Sequence, residues 1–252
     1  MRRIVVLSFF AAVGACLFAC TDLSGGSVSV LSIQFDSLPV PSIVVGDTLR
    51  DTTGAVFHPV ARAFNFEGEE IMPSPVYFLS PDSGITVDSA TGITVGDSLR
   101  STPARIVAAV GSLQAIQRIV VTLRPDLVVG INDRDTLQYV LTDTTRDTSE
   151  VLTVRLTHGV APNDSAVSSY IVSFAIVSQS DPRLSELINE SGKASVVDTT
   201  DASGIAGRKI RLHPVYLTAT VDSIVVNATA RYRGGQVAGS PVRLVVVLEP
   251  GS

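Results

Sequence analysis

Several oxygen-bearing side chains with the chemistry of a calcium site lie close together near the middle of the chain. Asn132, Asp133 and Asp135 are almost consecutive, and Asp143 and Asp147 follow. Ca²⁺ takes six to eight hard oxygen ligands, but this spacing is not that of an EF-hand loop and ends in no bidentate Glu. The alternative is a solvated turn in which Asp and Asn bond to their own backbone. We keep Asn132, Asp133 and Asp135 as a calcium candidate, with the solvated turn as the alternative interpretation.

A serine in a short polar block offers a second chemistry. Gly96-Asp97-Ser98-Leu99 resembles the nucleophile block of the GDSL ester hydrolases, and Gly130-Ile131-Asn132-Asp133 resembles their Gly-x-Asn-Asp block. A nucleophilic serine needs a base within hydrogen-bond reach and a group that orients this base. The family supplies both as Asp-x-x-His, which is missing here. We therefore predict turns at both blocks, assign no catalytic residue, predict no enzymatic activity and keep the hydrolase as an alternative.

The three histidines do not form a metal site in the sequence. His58, His158 and His213 are far apart, and no pair has helical or hairpin spacing. A zinc site needs three or four converging ligands. We predict isolated histidines in strands or turns, and we assign neither a metal nor a cofactor.

The first twenty residues have the pattern of a secretory signal. Arg2 and Arg3 precede an apolar run over residues 4–17, which is shorter than the roughly 20 residues that a membrane-spanning helix needs. Leu17-Phe18-Ala19-Cys20 resembles the lipobox of bacterial lipoproteins. The resemblance implies that Cys20 carries diacylglycerol and becomes the first mature residue. Cys16, after Val13-Gly14-Ala15, also fits, and an ordinary cleaved signal is the other alternative.

This resemblance implies an exported protein anchored to an envelope membrane, with the outer membrane or the cell surface favoured. Residues 1–19 are then the signal, and residues 20–27 contain the lipidated Cys20 and a short tether with Gly25 and Gly26. More than one acyl chain makes anchoring stable. The predicted partner is therefore the membrane, which the chain binds through its N-terminal lipid.

Composition limits the remaining functions. Both cysteines lie in the signal region and tryptophan is absent, so the disulfide-and-tryptophan core of antibody domains is excluded. The net charge is −5, and it becomes −7 when Arg2 and Arg3 are removed with the signal. Nucleic-acid binding and docking on anionic lipid both depend on basic clusters, so this charge disfavours them.

Short Val, Ile and Thr-rich runs separated by turn residues dominate the rest of the chain, which indicates an all-β sandwich or barrel. Pro125 ends a strand and marks a boundary between residues 28–124 and 125–252. No spacer follows it, so we expect the two halves to touch at a preferred angle. In the first half we predict strands at residues 28–36, 43–45, 56–64, 76–79, 85–87, 104–110 and 115–123.

The first half is similar to the bacterial Ig-like group 2 family. The similarity rests on Val45-Gly46-Asp47-Thr48-Leu49 and on Val87-Asp88-Ser89-Ala90-Thr91-Gly92-Ile93, and it covers residues 28–124. The middle strand departs from the family, because Tyr77-Phe78-Leu79-Ser80 stands where the family usually has Trp or a similar aromatic with Ser.

The second half alternates apolar and polar residues, as one-sided burial in an antiparallel sheet requires. Thr200-Asp201-Ala202-Ser203-Gly204-Ile205-Ala206 resembles the turn of intimin/invasin-type bacterial Ig-like domains, over residues 127–249. One helix is predicted at residues 182–191. Asp181 is its cap, Pro182 its first turn and Gly192 its end.

The sequence thus predicts two tandem Ig-like antiparallel β-sandwiches behind a lipoprotein signal. The resemblances imply a non-catalytic binding, adhesion or spacer module whose partner is a protein or a glycan. A structural component of an envelope assembly is the alternative. Fold-level analogy alone does not identify the partner.

Overall fold

The computed structural model describes residues 29–140, 147–217 and 222–251. Within these ranges every regular element is a β-strand except one 3-10 turn, Pro214–Tyr216. The all-β prediction is therefore confirmed. Residues 1–28, which include Cys16, Cys20 and the predicted tether, lie outside the described ranges. In those ranges no helix has the length and apolar character to span a bilayer.

Eight strands make up the first half of the described chain. The largest sheet has the order β2-β8-β7-β4, while β1 pairs with β3 and β5 with β6. The strands are β1 Ser32–Phe35, β2 Ser42–Val44, β3 Ala61–Phe64, β4 Tyr77–Leu79, β5 Ile85–Val87, β6 Thr94–Gly96, β7 Ala104–Val110 and β8 Leu113–Thr122.

Twelve further strands make up the second half. One sheet has the order β10-β20-β17-β13-β15, and the other has β12-β11-β16-β14 with β9 paired to β11. The strands are β9 Leu127–Asn132, β10 Arg134–Tyr139, β11 Leu152–His158, β12 Ser165–Ala166, β13 Ile171–Ser178, β14 Ser185–Ile188, β15 Val197–Thr199, β16 Ile205–Leu212, β17 Asp222–Thr229, β18 Arg231–Tyr232, β19 Gly235–Gln236 and β20 Val242–Pro250.

Both halves begin with the same pairing pattern. The first strand is antiparallel to the third, as β1 pairs with β3 and β9 with β11. The second strand then pairs in parallel with the last long strand, as β2 does with β8 and β10 with β20. The chain thus crosses from one sheet to the other near its start in each half. This shared order makes the two halves sandwiches of one architecture.

Each half has its own apolar core. In the second half, side chains from both sheets form a single buried cluster that includes Leu156, Phe174 and Leu244. In the first half, Ile43, Ile106 and Ile119 form the main cluster. Phe78 is buried in a smaller cluster and meets Phe35 edge to face, with 5.9 Å between the ring centroids. Phe78 is therefore the buried aromatic residue of the middle strand, whereas Tyr77 is exposed.

The alternating pattern correctly predicted the buried faces. Leu152, Val154 and Leu156 on β11 are fully buried, while the residues between them are half-exposed. In the first half, residues 85–87 and 104–110 coincide with β5 and β7. The run at residues 56–64 is a strand only from Ala61, because Pro59 has no N–H to donate. Strand β6 was not predicted.

The predicted helix at residues 182–191 is wrong, because this segment contains β14. Its capping signal forms one turn, in which Leu184 N–H donates to the Asp181 carbonyl at 2.9 Å. Ser185–Ile188 then pairs with β16. Leu184, Leu187 and Ile188 are buried, and the first two belong to the sandwich core. A ten-residue helix is marginal in isolation, so the sheet pairing prevails.

Candidate functional site

The calcium candidate lies where the chain crosses between the two sheets of the second sandwich. Asn132 ends β9 and Asp135 lies in β10. Asn132 Nδ2 donates to the Val151 carbonyl at 2.7 Å. The Asp135 carboxylate accepts the N–H groups of Thr136 at 2.8 Å and Glu150 at 2.9 Å. These contacts hold the crossover between the sheets, and two of them join segments 15 and 19 residues apart, whereas the alternative to a calcium site was a solvated turn bonded to its own backbone.

No group of three potential metal-binding His, Cys, Asp or Glu side chains occurs in the described ranges. Asp143, one of the two acids that follow the candidate in the sequence, lies outside those ranges. The assignment of calcium to Asn132, Asp133 and Asp135 therefore remains an untested prediction.

The residues of the hydrolase alternative are dispersed. Ser98 is an exposed bend residue just after β6. His158 bonds to the Arg124 carbonyl at 3.0 Å and lies 2.7 Å from an Asp126 oxygen. His213 lies 3.8 Å from the Glu186 carboxylate. Within the described residues, no histidine is hydrogen bonded to Ser98, so a base for the hydroxyl is not in place.

The most elaborate polar site lies at the junction of the two sandwiches. It is centred on Asp47, which follows β2 in a tight turn where Gly46 has a φ of +74°. Only 4 % of the Asp47 side chain is exposed. Its carboxylate accepts the Thr48 N–H at 2.8 Å and the Arg50 guanidinium at 3.2 Å, both from its own sandwich. The carboxylate is thus held in place before the other sandwich contributes.

The second sandwich contributes Arg233 to Asp47. Arg233 Nε donates to Asp47 Oδ2 at 2.8 Å, and Arg233 Nη2 donates to Oδ1 at 2.9 Å. This bidentate geometry is the strongest form of an arginine–carboxylate contact. It joins residues that are 186 positions apart in the sequence. Because it is anchored on a buried carboxylate, we take it as the main polar contact between the two sandwiches.

A strained hairpin presents Arg233. Strands β18 and β19 are joined by Arg233 and Gly234, which have φ values of +51° and +80°. A two-residue type I′ turn needs positive φ at both positions, and Asn or Gly is the usual first residue. An arginine is costly there, since non-glycine residues rarely adopt this conformation. The conformation of Arg233 therefore destabilises the hairpin locally, but it places the guanidinium at Asp47.

Backbone contact brings the two sandwiches together beside this ion pair. A Cβ placed on Gly54 would lie 2.1 Å from the Gly234 nitrogen, so only glycine fits at position 54. At a second point, Thr122 Oγ1 donates to the Ser168 carbonyl at 2.7 Å. The junction is thus a close contact that extends from the end of β8 to the β18–β19 hairpin.

The electrostatics of the junction follow from this packing. Burial alone would raise the pKa of Asp47, but the hydrogen bonds from Arg233 and Arg50 outweigh burial and lower it well below its ordinary value. Burial raises the pKa of the Tyr170 hydroxyl, which donates to the Arg231 carbonyl at 2.6 Å. Burial and the contact with Asp47 also raise the pKa of Tyr232. At neutral pH the site holds an ionised Asp47 between two guanidinium groups and two neutral tyrosines.

Sequence reasoning found one side of this site and missed the other. Gly46-Asp47-Thr48-Leu49 lies in the Ig-like motif of the first half, but the motif assigns no partner to the Asp47 carboxylate. The Gly234-Gly235 pair after Arg233 is a hairpin signal that was not used. It predicts a turn at Arg233 but contains no information on the distant partner.

Comparison with known proteins does not assign a family. No family model matches the chain, and no curated protein matches it. Among solved structures, domains 4 and 5 of the S-layer protein SbsC are 10 % identical, and the match covers 89 % of this chain and 100 % of that one with a TM-score of 0.31. Human protocadherin-24 EC1-2 is 13 % identical, with the same coverage and a TM-score of 0.28. These distant likenesses carry no information on function.

Proposed function

We propose that this protein is an exported, membrane-anchored envelope lipoprotein that acts as a non-catalytic binding and spacer module. Its lipidated Cys20 anchors the chain, and two sandwiches extend from the anchor at a fixed mutual angle. The observation that carries this proposal is the bidentate Arg233–Asp47 pair between the sandwiches. A spacer that presents a surface at a set distance from the membrane needs such a fixed junction, because domains with small polar interfaces otherwise move relative to each other.

The alternative within the same class is a structural component of an envelope assembly. One feature of the junction supports binding at the surface instead. The cavity beside Asp47 is open to solvent between the sandwiches and is lined by polar side chains from both of them. Sites for small molecules commonly lie between domains. A purely structural role does not require such a cavity.

Cell fractionation and protease treatment of whole cells test this proposal. We expect the chain to be found in the membrane fraction, to lose membrane attachment when Cys20 is changed to Ala, and to be cleaved by protease added to intact cells. Cys16→Ala is the matched control and is expected to retain attachment. If attachment survives Cys20→Ala and is lost with Cys16→Ala, the lipid anchor would be assigned to Cys16 instead. Cleavage only after lysis would favour the structural alternative.

A further inference from the structure

The cavity between the sandwiches has the dimensions of a small-molecule site. Its volume is about 500 Å³, within the range of ligand pockets. Apolar walls come from Val44 of the first sandwich and from Ile171 and Val197 of the second. Charged side chains, among them Asp47 and Arg233, also line it. The cavity therefore has both apolar and charged lining residues.

Positive charge exceeds negative charge at this cavity. Its lining includes three arginines, Arg50, Arg231 and Arg233, and two acids, Asp47 and Asp51. Asp47 is occupied by Arg50 and Arg233. The Asp51 carboxylate accepts the N–H groups of Thr53 and Ala55 and the Thr53 hydroxyl. Neither acid is available to a third cation.

Arg231 is the cation that these acids leave uncompensated. Its side chain donates only a long bond of 3.4 Å to the Gly234 carbonyl. In the described part of the chain it has no carboxylate partner within ion-pair distance, although the protein as a whole is acidic. A guanidinium offers five donors in a planar fork that matches a carboxylate. Arg231 is therefore suited to bind one anionic group of a ligand in the cavity.

Hydroxyl groups and aromatic rings complete the lining. Ser42, Ser173 and Thr229 line the cavity with side chains that both donate and accept hydrogen bonds. Tyr170 and Tyr232 add rings with an apolar body and a polar tip. A ligand with hydroxyl groups and a ring of modest polarity fits this combination better than a purely apolar one.

We propose that the cavity binds an acidic sugar, with its carboxylate at Arg231 and its ring and hydroxyls among the tyrosines and the hydroxyl side chains. One uncompensated cation matches one carboxylate, whereas a neutral sugar leaves Arg231 without a partner. This inference rests on the binding role proposed above and names the chemical class of its ligand.

Tyrosine fluorescence and calorimetry of the full chain in detergent test this inference. The chain has no tryptophan and five tyrosines, two of which line the cavity, so ligand entry changes the tyrosine signal. The probes are D-glucuronate and N-acetylneuraminate, with D-glucose as the neutral match and acetyl-Ala-Ala as a carboxylate without a sugar ring. We expect saturable binding of at least one acidic sugar and much weaker binding of glucose and of the peptide.

Arg231→Gln is the decisive variant, because it removes the charge without touching the Asp47 pair. We expect it to weaken binding of the acidic sugar about tenfold. Arg118→Gln, which changes an exposed arginine on β8, is the matched control and is expected to bind as the native chain does.

Three results would overturn the inference. They are the absence of saturable binding of either acidic sugar, equal binding of glucose or acetyl-Ala-Ala, and unchanged binding by Arg231→Gln. None of them affects the anchoring and exposure of the chain, which the cell experiments measure independently. Failure of the sugar site is therefore distinguishable from failure of the proposed function.

Discussion

Arg233 and Asp47 form a bidentate ion pair that joins the two sandwiches, with N–O distances of 2.8 and 2.9 Å. The arginine lies at the tip of a strained hairpin, and the aspartate is buried in a turn that Arg50 also holds. Because the carboxylate is almost fully removed from solvent, the pair is screened less than an ordinary surface ion pair.

Arg233→Asn distinguishes the contribution of the hairpin to stability from that of the ion pair. Asn is favoured at the first position of a type I′ turn, so the hairpin is expected to be retained or stabilised, while the junction loses its guanidinium. Asp47→Asn removes the negative charge and is expected to cost about 2 kcal/mol of unfolding free energy, because two arginines lose their anionic partner. Denaturant unfolding of both single variants and the double variant measures the coupling.

We expect a coupling free energy of about 1–2 kcal/mol between positions 47 and 233. Arg118→Gln, combined with Asp47→Asn in the same way, is the control and is expected to give additive effects. Additive effects of Asp47→Asn and Arg233→Asn would show that the pair does not stabilise the fold.

The junction is expected to weaken only in strong acid. The pKa of Asp47 in the closed junction lies below its ordinary value of 3.8. As the pH falls, the Asp47 carboxylate is therefore protonated in the opened or unfolded chain before it is protonated in the closed one. The contribution of Asp47 to stability is therefore complete above pH 3.8 and is lost as the pH falls from there toward the lowered pKa. Unfolding measured between neutral pH and strong acid in the native chain and in Asp47→Asn isolates this contribution. Parallel curves for the two proteins would contradict it.

Gly54→Ala is expected to open the junction. The added Cβ would collide with the Gly234 backbone at 2.1 Å, and the positive φ of +93° adds strain. Gly68→Ala is the matched control, because Gly68 also has a positive φ, +81°, but has open space around its Cβ position and lies outside the junction. Small-angle X-ray scattering should show a larger radius of gyration for Gly54→Ala and an unchanged one for Gly68→Ala. Equal values for the two variants would place the contact elsewhere.

Local patterns predicted much of this fold and little of the site. Alternation on β11 and the turn signals around Asp88 and Asp201 depend on near neighbours, and the structure has both turns, closed by the aspartate side chains. The segment at residues 182–191 has equally clear helix signals, but pairing with β16 overrides them. A partner strand of this kind is not visible in a local window.

The same limit applies to the junction. Asp47 and Arg233 each lie in a recognisable turn, but their pairing depends on how the two sandwiches pack against each other. No periodicity or spacing connects residues that far apart. The same holds for Asn132 and Asp135, whose hydrogen bonds to Val151 and Glu150 span 19 and 15 positions.

The calcium candidate is expected to leave stability unchanged. Asp135 already accepts two backbone N–H groups, and Asn132 Nδ2 donates to the Val151 carbonyl, so these contacts hold the crossover without a cation. Thermal unfolding with millimolar Ca²⁺ and with EDTA should give the same midpoint. A higher midpoint with Ca²⁺ that is lost in Asp135→Asn would assign a cation to the crossover.

The distance between the two sandwiches tests the central claim most directly. With Cys16 and Cys20 changed to Ser, spin labels at the exposed positions Ala90 and Ser203 report one site on each sandwich. We predict a single narrow distance distribution by pulsed electron paramagnetic resonance in the native background, and a broad one in Gly54→Ala and in Arg233→Asn. A broad distribution in the native background would contradict a fixed junction.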